Sequence, residues 1–236
     1  VAIDPDATNR IAAAHGSLVD AWLALEAGRP ARARAELEQG AAASLARDAG
    51  PVGAQYALLH GLAVIDEARS EGPAARRAAL RKVRRDVRRL RTWLARGLRG
   101  VRQKPLLLEA EIAALQGRFT RAFDRYERAI HEARASGFLH DEVAAWRRCA
   151  QFLEAAGRHE IAARFLAGAR ECEAQRFGKD GSTTTQGGPD ALLMRSLHVT
   201  TALALVFLTR PLPGWWRGLD LVAVAGTLWV QGWFFV

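Results

Sequence analysis

The fold is decided by residues 104–135, which read KPLLLEAEIAALQGRFTRAFDRYERAIHEARA. Apolar residues recur at spacings of three and four on both sides of Gly117, as expected for one face of each of two helices. The apolar positions are Leu107, Leu108, Ala110, Ile112, Leu115, Phe119, Ala122, Phe123, Tyr126, Ala129, Ile130 and Ala133. Glycine favours the left-handed conformation that ends many helices. The stretch therefore predicts a helix pair joined by a tight turn at Gly117.

The same arrangement recurs along residues 8–177. The expected turn glycines are separated by 44, 45 and 40 residues, and they are Gly28, Gly72, Gly117 and Gly157. Pro30 and Pro73 follow two of them and suit the first turn of a helix. A single pair cannot bury its apolar face, so pairs must stack. The sequence predicts an all-α fold, an α-solenoid of about four helix pairs.

The fourth unit repeats the apolar spacing of the third. Its expected buried positions are Val143, Ala145, Trp146, Cys149, Phe152, Leu153, Ile161, Ala162, Phe165, Leu166, Ala169 and Cys172. The acid pairs Asp66-Glu67 and Asp141-Glu142 lie among basic residues, and we expect them on salt-bridged faces in contact with solvent.

The third and fourth units resemble a known family over residues 104–177. The residues that carry the resemblance are KPLLLEAEIA at 104–113, GR at 117–118, AFDRYERAI at 122–130, ARASGF at 133–138, HDE at 140–142, GRHEIA at 157–162 and AREC at 169–172. They resemble the tetratricopeptide-like helical region of large bacterial signalling proteins. In that family a serine/threonine kinase-like domain and an AAA-type ATPase precede the region, and sensor, histidine kinase or cyclase domains follow it. The resemblance implies a tetratricopeptide-like solenoid that links an ATPase to an output module, with the catalytic residues in other domains.

The chain departs from this family after Phe177. Residues 178–190, GKDGSTTTQGGPD, contain no apolar side chain, which is typical of a flexible linker at a domain boundary. Residues 191–236 hold two apolar stretches around RPLPGWWRG at 210–218. They predict a C-terminal apolar helical hairpin, transmembrane or re-entrant, because each stretch is close to the lower limit of about 17–25 residues for a bilayer span. A hairpin docked on a further domain is the alternative.

Four tryptophans of this tail match the aromatic belts of membrane interfaces. They are Trp215, Trp216, Trp229 and Trp233. We therefore expect the chain to be membrane-associated on the cytoplasmic side of the inner membrane. Its first residue is Val1, and we expect the chain to be part of a longer protein.

No motif for catalysis, a cofactor or a metal is apparent. Gly178-Lys179 lacks the upstream glycine and the following serine or threonine of a phosphate-binding loop. His159-Glu160 lacks the second histidine of a zinc protease motif, since position 163 is alanine. We expect a non-enzymatic segment without cofactor or metal.

The most unusual feature is a basic segment. Residues 73–104 hold 13 Lys and Arg against a single acid, Asp86, in a chain of net charge +9. An apolar stripe runs along it, formed by Leu80, Val83, Val87, Leu90 and Leu94, which indicates a helix packed into the solenoid. Within this Arg-rich helix, 76–104, the candidate patch for an anionic partner is Arg81, Arg84, Arg85, Arg88, Arg89 and Arg91. Like charges at this spacing repel, so helix stability does not explain them.

Several partners suit the basic segment. An anionic membrane attracts basic residues near its surface, and an acidic domain of the same polypeptide or a protein partner fits equally well. Nucleic acid is possible but less favoured, because stacking aromatics are missing. A solvated arginine-rich face is the remaining alternative. The main hypothesis is a scaffold or regulatory segment of a bacterial signal-transduction protein, tethered to the membrane and mediating protein–protein or interdomain contacts. The alternative is a basic binding module for anionic lipid or nucleic acid.

Overall fold

The computed structural model describes residues 5–40, 43, 49–98 and 100–178. Every regular element in these ranges is a helix, which confirms the all-α prediction. The eight helices are α1 (Pro5–Glu26), α2 (Pro30–Gln39), α3 (Pro51–Arg69), α4 (Pro73–Ala95), α5 (Gln103–Leu115), α6 (Phe119–Ala135), α7 (Leu139–Ala155) and α8 (His159–Gly178). None of them is long and apolar enough to cross a membrane.

The predictions for the C-terminal part concern other residues. The linker from residue 179 onward and the apolar segment 191–236 lie outside the described residues, and so do the interface aromatics Trp215, Trp216, Trp229 and Trp233. Helices α1–α7 and most of α8 belong to one compact unit, Val1–Gln175.

Helices adjacent in sequence pack against one another from α1 to α7. The odd-numbered helices also form a continuous row, in which α1 packs on α3, α3 on α5 and α5 on α7. Helix α3 contributes to both hydrophobic clusters of the domain: Leu58 and Ile65 belong to the larger one, and Leu59 and Ala63 to the one shared with α1 and α2. The core therefore runs through α3.

The turn glycines differ in conformation. Gly28, Gly117 and Gly157 have φ values of 67°, 70° and 73°, the left-handed conformation expected where a helix ends. Gly72 has φ −74° and ψ 174° and is the N-cap of α4. It precedes Pro73, which disfavours helical geometry in the preceding residue. The expectation of a left-handed glycine is thus wrong at this turn.

Two positions of the expected apolar faces are exposed. Phe119 and Ile161 expose 41% and 42% of their surface, whereas Leu108, Tyr126 and Ala129 are fully buried. Both exceptions lie in the first turn of the second helix of a pair. A regular spacing shows which side of a helix faces the core, but it does not show where the neighbouring helices end.

Candidate functional site

The basic segment is divided between two helices instead of forming the single helix expected over 76–104. Helix α4 ends at Ala95, and Gly97, with φ 94°, lies in the turn that follows. Lys104 belongs to α5 and is only 5% exposed. Within this segment, the row of exposed cations along a helix is therefore confined to α4.

One side of α4 is fixed in the core. Val83, Val87, Leu90 and Trp93 are all buried on it. Ala79 is also buried, one turn before Val83, so the buried side begins in the second turn of α4 and runs to its C-terminal end. The long stems of the basic residues on the other side remain free to extend into solvent.

Five arginines line the side of α4 that faces away from the core, and we call them the basic face: Arg77, Arg81, Arg84, Arg85 and Arg88. All five are exposed, as is Lys82 at their edge. None of these six cations pairs with a carboxylate among the described residues. Spacings of three and four place the five arginines on one helix face, along about 17 Å of the helix.

Two residues of the predicted patch do not belong to this face. Arg89 is half-buried, and its Nη1 lies 3.8 Å from Asp86 Oδ1. Arg91 is exposed but forms an ion pair with Glu109 of α5. Conversely, Arg77 was absent from the predicted patch, although its spacing of four from Arg81 places it one turn earlier on the same face.

The single acid of α4 does not neutralise the basic face. Asp86 is 4% exposed, and its Oδ2 lies 2.8 Å from His60 Nδ1 of α3. The other ring nitrogen of His60 lies 3.6 Å from Glu38 of α2, and the ring stacks on Tyr56. Asp86 thus joins α4 to the core, on the side opposite the arginines.

Other arginines of the domain have internal carboxylate partners. Arg148 of α7 donates two hydrogen bonds to Asp66 of α3, with Nη1–Oδ1 and Nη2–Oδ2 distances of 2.9 and 2.6 Å. Its Nη1 also lies 3.4 Å from Oε1 of the fully buried Glu111 of α5, which pairs with Arg69 at 2.5 Å. Burial lowers the pKa of Arg148, but the charges of Glu111 and Asp66 outweigh it and raise the pKa above its usual value. These four residues form a charge cluster that joins α3, α5 and α7.

A second buried cluster surrounds Lys104. Its Nζ donates to Asp141 Oδ2 at 2.6 Å and to Gln55 Oε1 at 2.7 Å. Asp141 and Glu142 are 4% and 5% exposed, so the expectation that this acid pair lies on a solvent face is wrong. Glu142 pairs instead with Arg134 of α6 at 2.8 Å. The sequence pattern indicates that Asp141 and Glu142 have basic partners, but the packing of the helices decides whether these acids are buried.

Side chains also join α1 to α7. Trp22 and His140 meet edge to face, with ring centroids 6.1 Å apart. Arg147 bridges Glu26 of α1 at 2.8 Å and Glu173 of α8 at 2.5 Å. Helices α1 and α7 are therefore connected directly, and the charge of Arg147 is paired within the domain.

The described residues contain no group of three side chains suited to a metal ion. The basic face of α4 is the candidate functional site, because it is a row of exposed cations on a helix whose other side is packed into the core. Comparison of the chain with protein-family models, with curated proteins and with solved structures finds no match.

Proposed function

We propose that this chain is a non-enzymatic helical-repeat scaffold of a bacterial signal-transduction protein, which docks an acidic protein surface through the basic face of α4. The observation that carries the proposal is a row of five exposed arginines, unpaired among the described residues, on one face of one helix, in a domain where several other arginines are paired. Arg69, Arg147 and Arg148 are paired with carboxylates inside the domain, whereas the arginines of the basic face have no carboxylate partner among the described residues.

The scaffold part of the proposal is a tetratricopeptide-like solenoid. Its support is the row of contacts α1–α3–α5–α7, together with the packing of each helix on the next in sequence. The resemblance of residues 104–177 to the helical region of signalling proteins points the same way. In such a protein the acidic surface belongs to a neighbouring domain or to a separate protein. A membrane tether through residues 191–236 completes the proposal.

The basic face is costly for the isolated domain. Pairs of like charge three or four residues apart destabilise a helix by roughly 0.2–0.5 kcal/mol each. The five arginines make five such pairs, so the total penalty is roughly 1–2.5 kcal/mol. An acidic partner relieves this repulsion when it binds, which favours docking over a face that is merely solvated.

Binding of poly-L-glutamate to the full chain tests the proposal. The quadruple variant Arg81→Gln, Arg84→Gln, Arg85→Gln, Arg88→Gln should bind about tenfold more weakly at low salt, because complementary charges are lost from one surface. The control removes the same charge from exposed arginines of α6 and α8 that have no ion pair with a described residue: Arg121, Arg128, Arg164 and Arg170. Equal weakening of both variants would show that only net charge matters and would contradict the proposal.

An anionic lipid surface is the second candidate, because the basic face is a straight row on the exposed side of one helix. Each basic residue near such a surface contributes about 1 kcal/mol. Nucleic acid is less favoured, since Trp93, the one aromatic residue of α4, is buried and cannot stack on a base. Phosphatidylserine vesicles, phosphatidylcholine vesicles and duplex DNA, used with the same two quadruple variants, distinguish these partners. A stronger dependence of vesicle or DNA binding on the basic face would favour the corresponding partner over an acidic protein.

A further inference from the structure

An open cleft of about 370 Å³ lies where three helix-pair turns come together, and it is separate from the basic face. Arg69 and Arg76 reach it from the α3–α4 turn, Leu115 and Phe119 from the α5–α6 turn, and Phe152 from the end of α7. Its volume is within the range of about 300–1,000 Å³ that is typical of sites for small ligands. A cleft of this size accommodates one large side chain and the backbone on either side of it.

The floor of the cleft is apolar and partly uncovered. Phe119 rests on Phe152, with ring centroids 5.0 Å apart, yet 41% of its surface remains exposed. Ala155 and Ala156 also line the cleft, and both are exposed. A large apolar side chain seated against Phe119 is removed from water, which favours its binding.

The charge of the cleft is positive. None of its lining residues is acidic. Arg69 is neutralised within the charge cluster by Glu111. Arg76 donates to the backbone oxygens of Arg69 at 2.9 Å and of Ala68 at 3.3 Å, and no carboxylate of the described residues pairs with it. Its guanidinium group is therefore the unneutralised charge at the rim of an apolar cleft.

We infer that this cleft binds a peptide segment of a partner protein in which a phenylalanine or leucine side chain is flanked by acidic residues. The apolar side chain covers Phe119, and a neighbouring carboxylate pairs with Arg76. A guanidinium group binds a carboxylate with charge-assisted hydrogen bonds in a fixed geometry. Arg76 does not belong to the basic face, because it is not three or four residues from any arginine of that face and is rotated by about 100° from Arg77. The inference therefore does not depend on the function proposed for the basic face.

Fluorescence anisotropy of labelled peptides with the full chain tests the inference. The probe is a blocked pentapeptide, Glu-Glu-Phe-Glu-Glu. It is compared with Gln-Gln-Phe-Gln-Gln, which lacks charge, and with Glu-Glu-Ala-Glu-Glu, which lacks the apolar side chain. We expect each change to weaken binding by about tenfold, because the cleft recognises both properties.

Three variants locate the binding. Arg76→Gln should abolish the preference for the acidic peptide over the Gln peptide, and Arg76→Lys should restore part of it. Arg170→Gln is the matched control, because it removes the same charge from an exposed position on α8, outside the basic face, and should leave the preference unchanged. Phe119→Ser should abolish the preference for the Phe peptide over the Ala peptide. Thermal unfolding of each variant shows whether the fold is retained after the contacts of Arg76 with the end of α3 are lost.

Three results would overturn the inference. The first is equal affinity for the Phe and Ala peptides, which would indicate general attraction of acidic chains to the basic face. The second is an equal effect of Arg76→Gln and Arg170→Gln. The third is self-association of the chain that Phe119→Ser abolishes while peptide binding is unchanged, which would place a second copy in the cleft. The quadruple variant of the basic face should leave the preference for the Phe peptide over the Ala peptide intact, so the two proposals can fail separately.

Discussion

Replacing Arg148 with methionine removes the cation that joins α7 to α3 and α5. Methionine keeps most of the apolar stem, so the change acts mainly on charge and hydrogen bonds. Asp66 loses both of its hydrogen bonds from Arg148, and Glu111, which has no exposed side-chain surface, keeps only Arg69. Asp66 and Glu111 then carry two negative charges at a largely buried position, where, among the described residues, only Arg69 supplies a positive charge.

The expected loss of stability follows from this imbalance. Removing one partner of a buried ion pair costs about 3–5 kcal/mol. We expect a value near the lower end of this range, about 3 kcal/mol. Arg69 still contacts Glu111 and Asp66, and the side chain of Asp66 is 23% exposed. For a domain of this size that corresponds to a fall in Tm of about 6–12 °C.

Urea unfolding of the full chain followed by circular dichroism measures this loss. The control is Arg121→Met, which removes an exposed arginine without an ion pair to any described residue and should change stability by about 0.5 kcal/mol or less. In the Arg148→Met background, Asp66→Asn should cost less than it does alone, because the partner is already missing. A loss below about 1 kcal/mol for Arg148→Met, or full additivity of the two changes, would refute the view that the charge cluster holds these helices together.

Three further predictions concern single positions, each measured by unfolding in urea. Gly100→Ala should destabilise the domain more than Gly117→Ala. Both glycines have positive φ, but only at Gly100 would a Cβ lie 2.7 Å from the ring of Phe138. Equal losses of stability would contradict this prediction. Tyr126→Phe should lower stability by less than about 1 kcal/mol, because the buried hydroxyl lies beside Glu111 but makes no well-aligned hydrogen bond with it. A larger loss would show that the hydroxyl is firmly bonded to Glu111. Burial, aided by a hydrogen bond to a carboxylate, raises the pKa of Cys172 from 9.0 to about 11. The folded state therefore holds this proton more tightly, and stability should fall as the pH rises from 9.0 to 11, with a smaller fall for Cys172→Ala.

The helical framework could be predicted because its signals are local. Spacings of three and four in α6 indicate that Tyr126 and Ala129 face the core, and both are fully buried. Gly117 and Gly157 end helices in the left-handed conformation that only glycine adopts easily. Phe119 breaks the pattern because its exposure depends on the ends of neighbouring helices. That information does not reside in the spacing of α6.

The candidate site could be predicted only in part, because charge partners come from distant segments. Among the arginines of α4, Arg91 pairs with Glu109 and Arg88 has no partner among the described residues. Nothing in their local sequence distinguishes the two. The partners of Arg148 lie 82 and 37 residues away. Helical spacing does indicate one further arginine of the basic face, because Arg77 lies one turn before Arg81.

The pairs that span several helices bear on how the domain unfolds. In a repeat protein whose units contact only their neighbours, terminal units can separate one at a time. Here Arg147 is 121 residues from its partner Glu26, and Arg148 is 82 residues from Asp66. Opening at α1 must break the contact of Glu26 with α7, and opening at α7 must break that contact and the contact of Arg148 with α3. We therefore expect amide protons of α1 and α7 to exchange with solvent in one concerted event. Because its helices then unfold together, the domain either has both the basic face and the cleft or has neither.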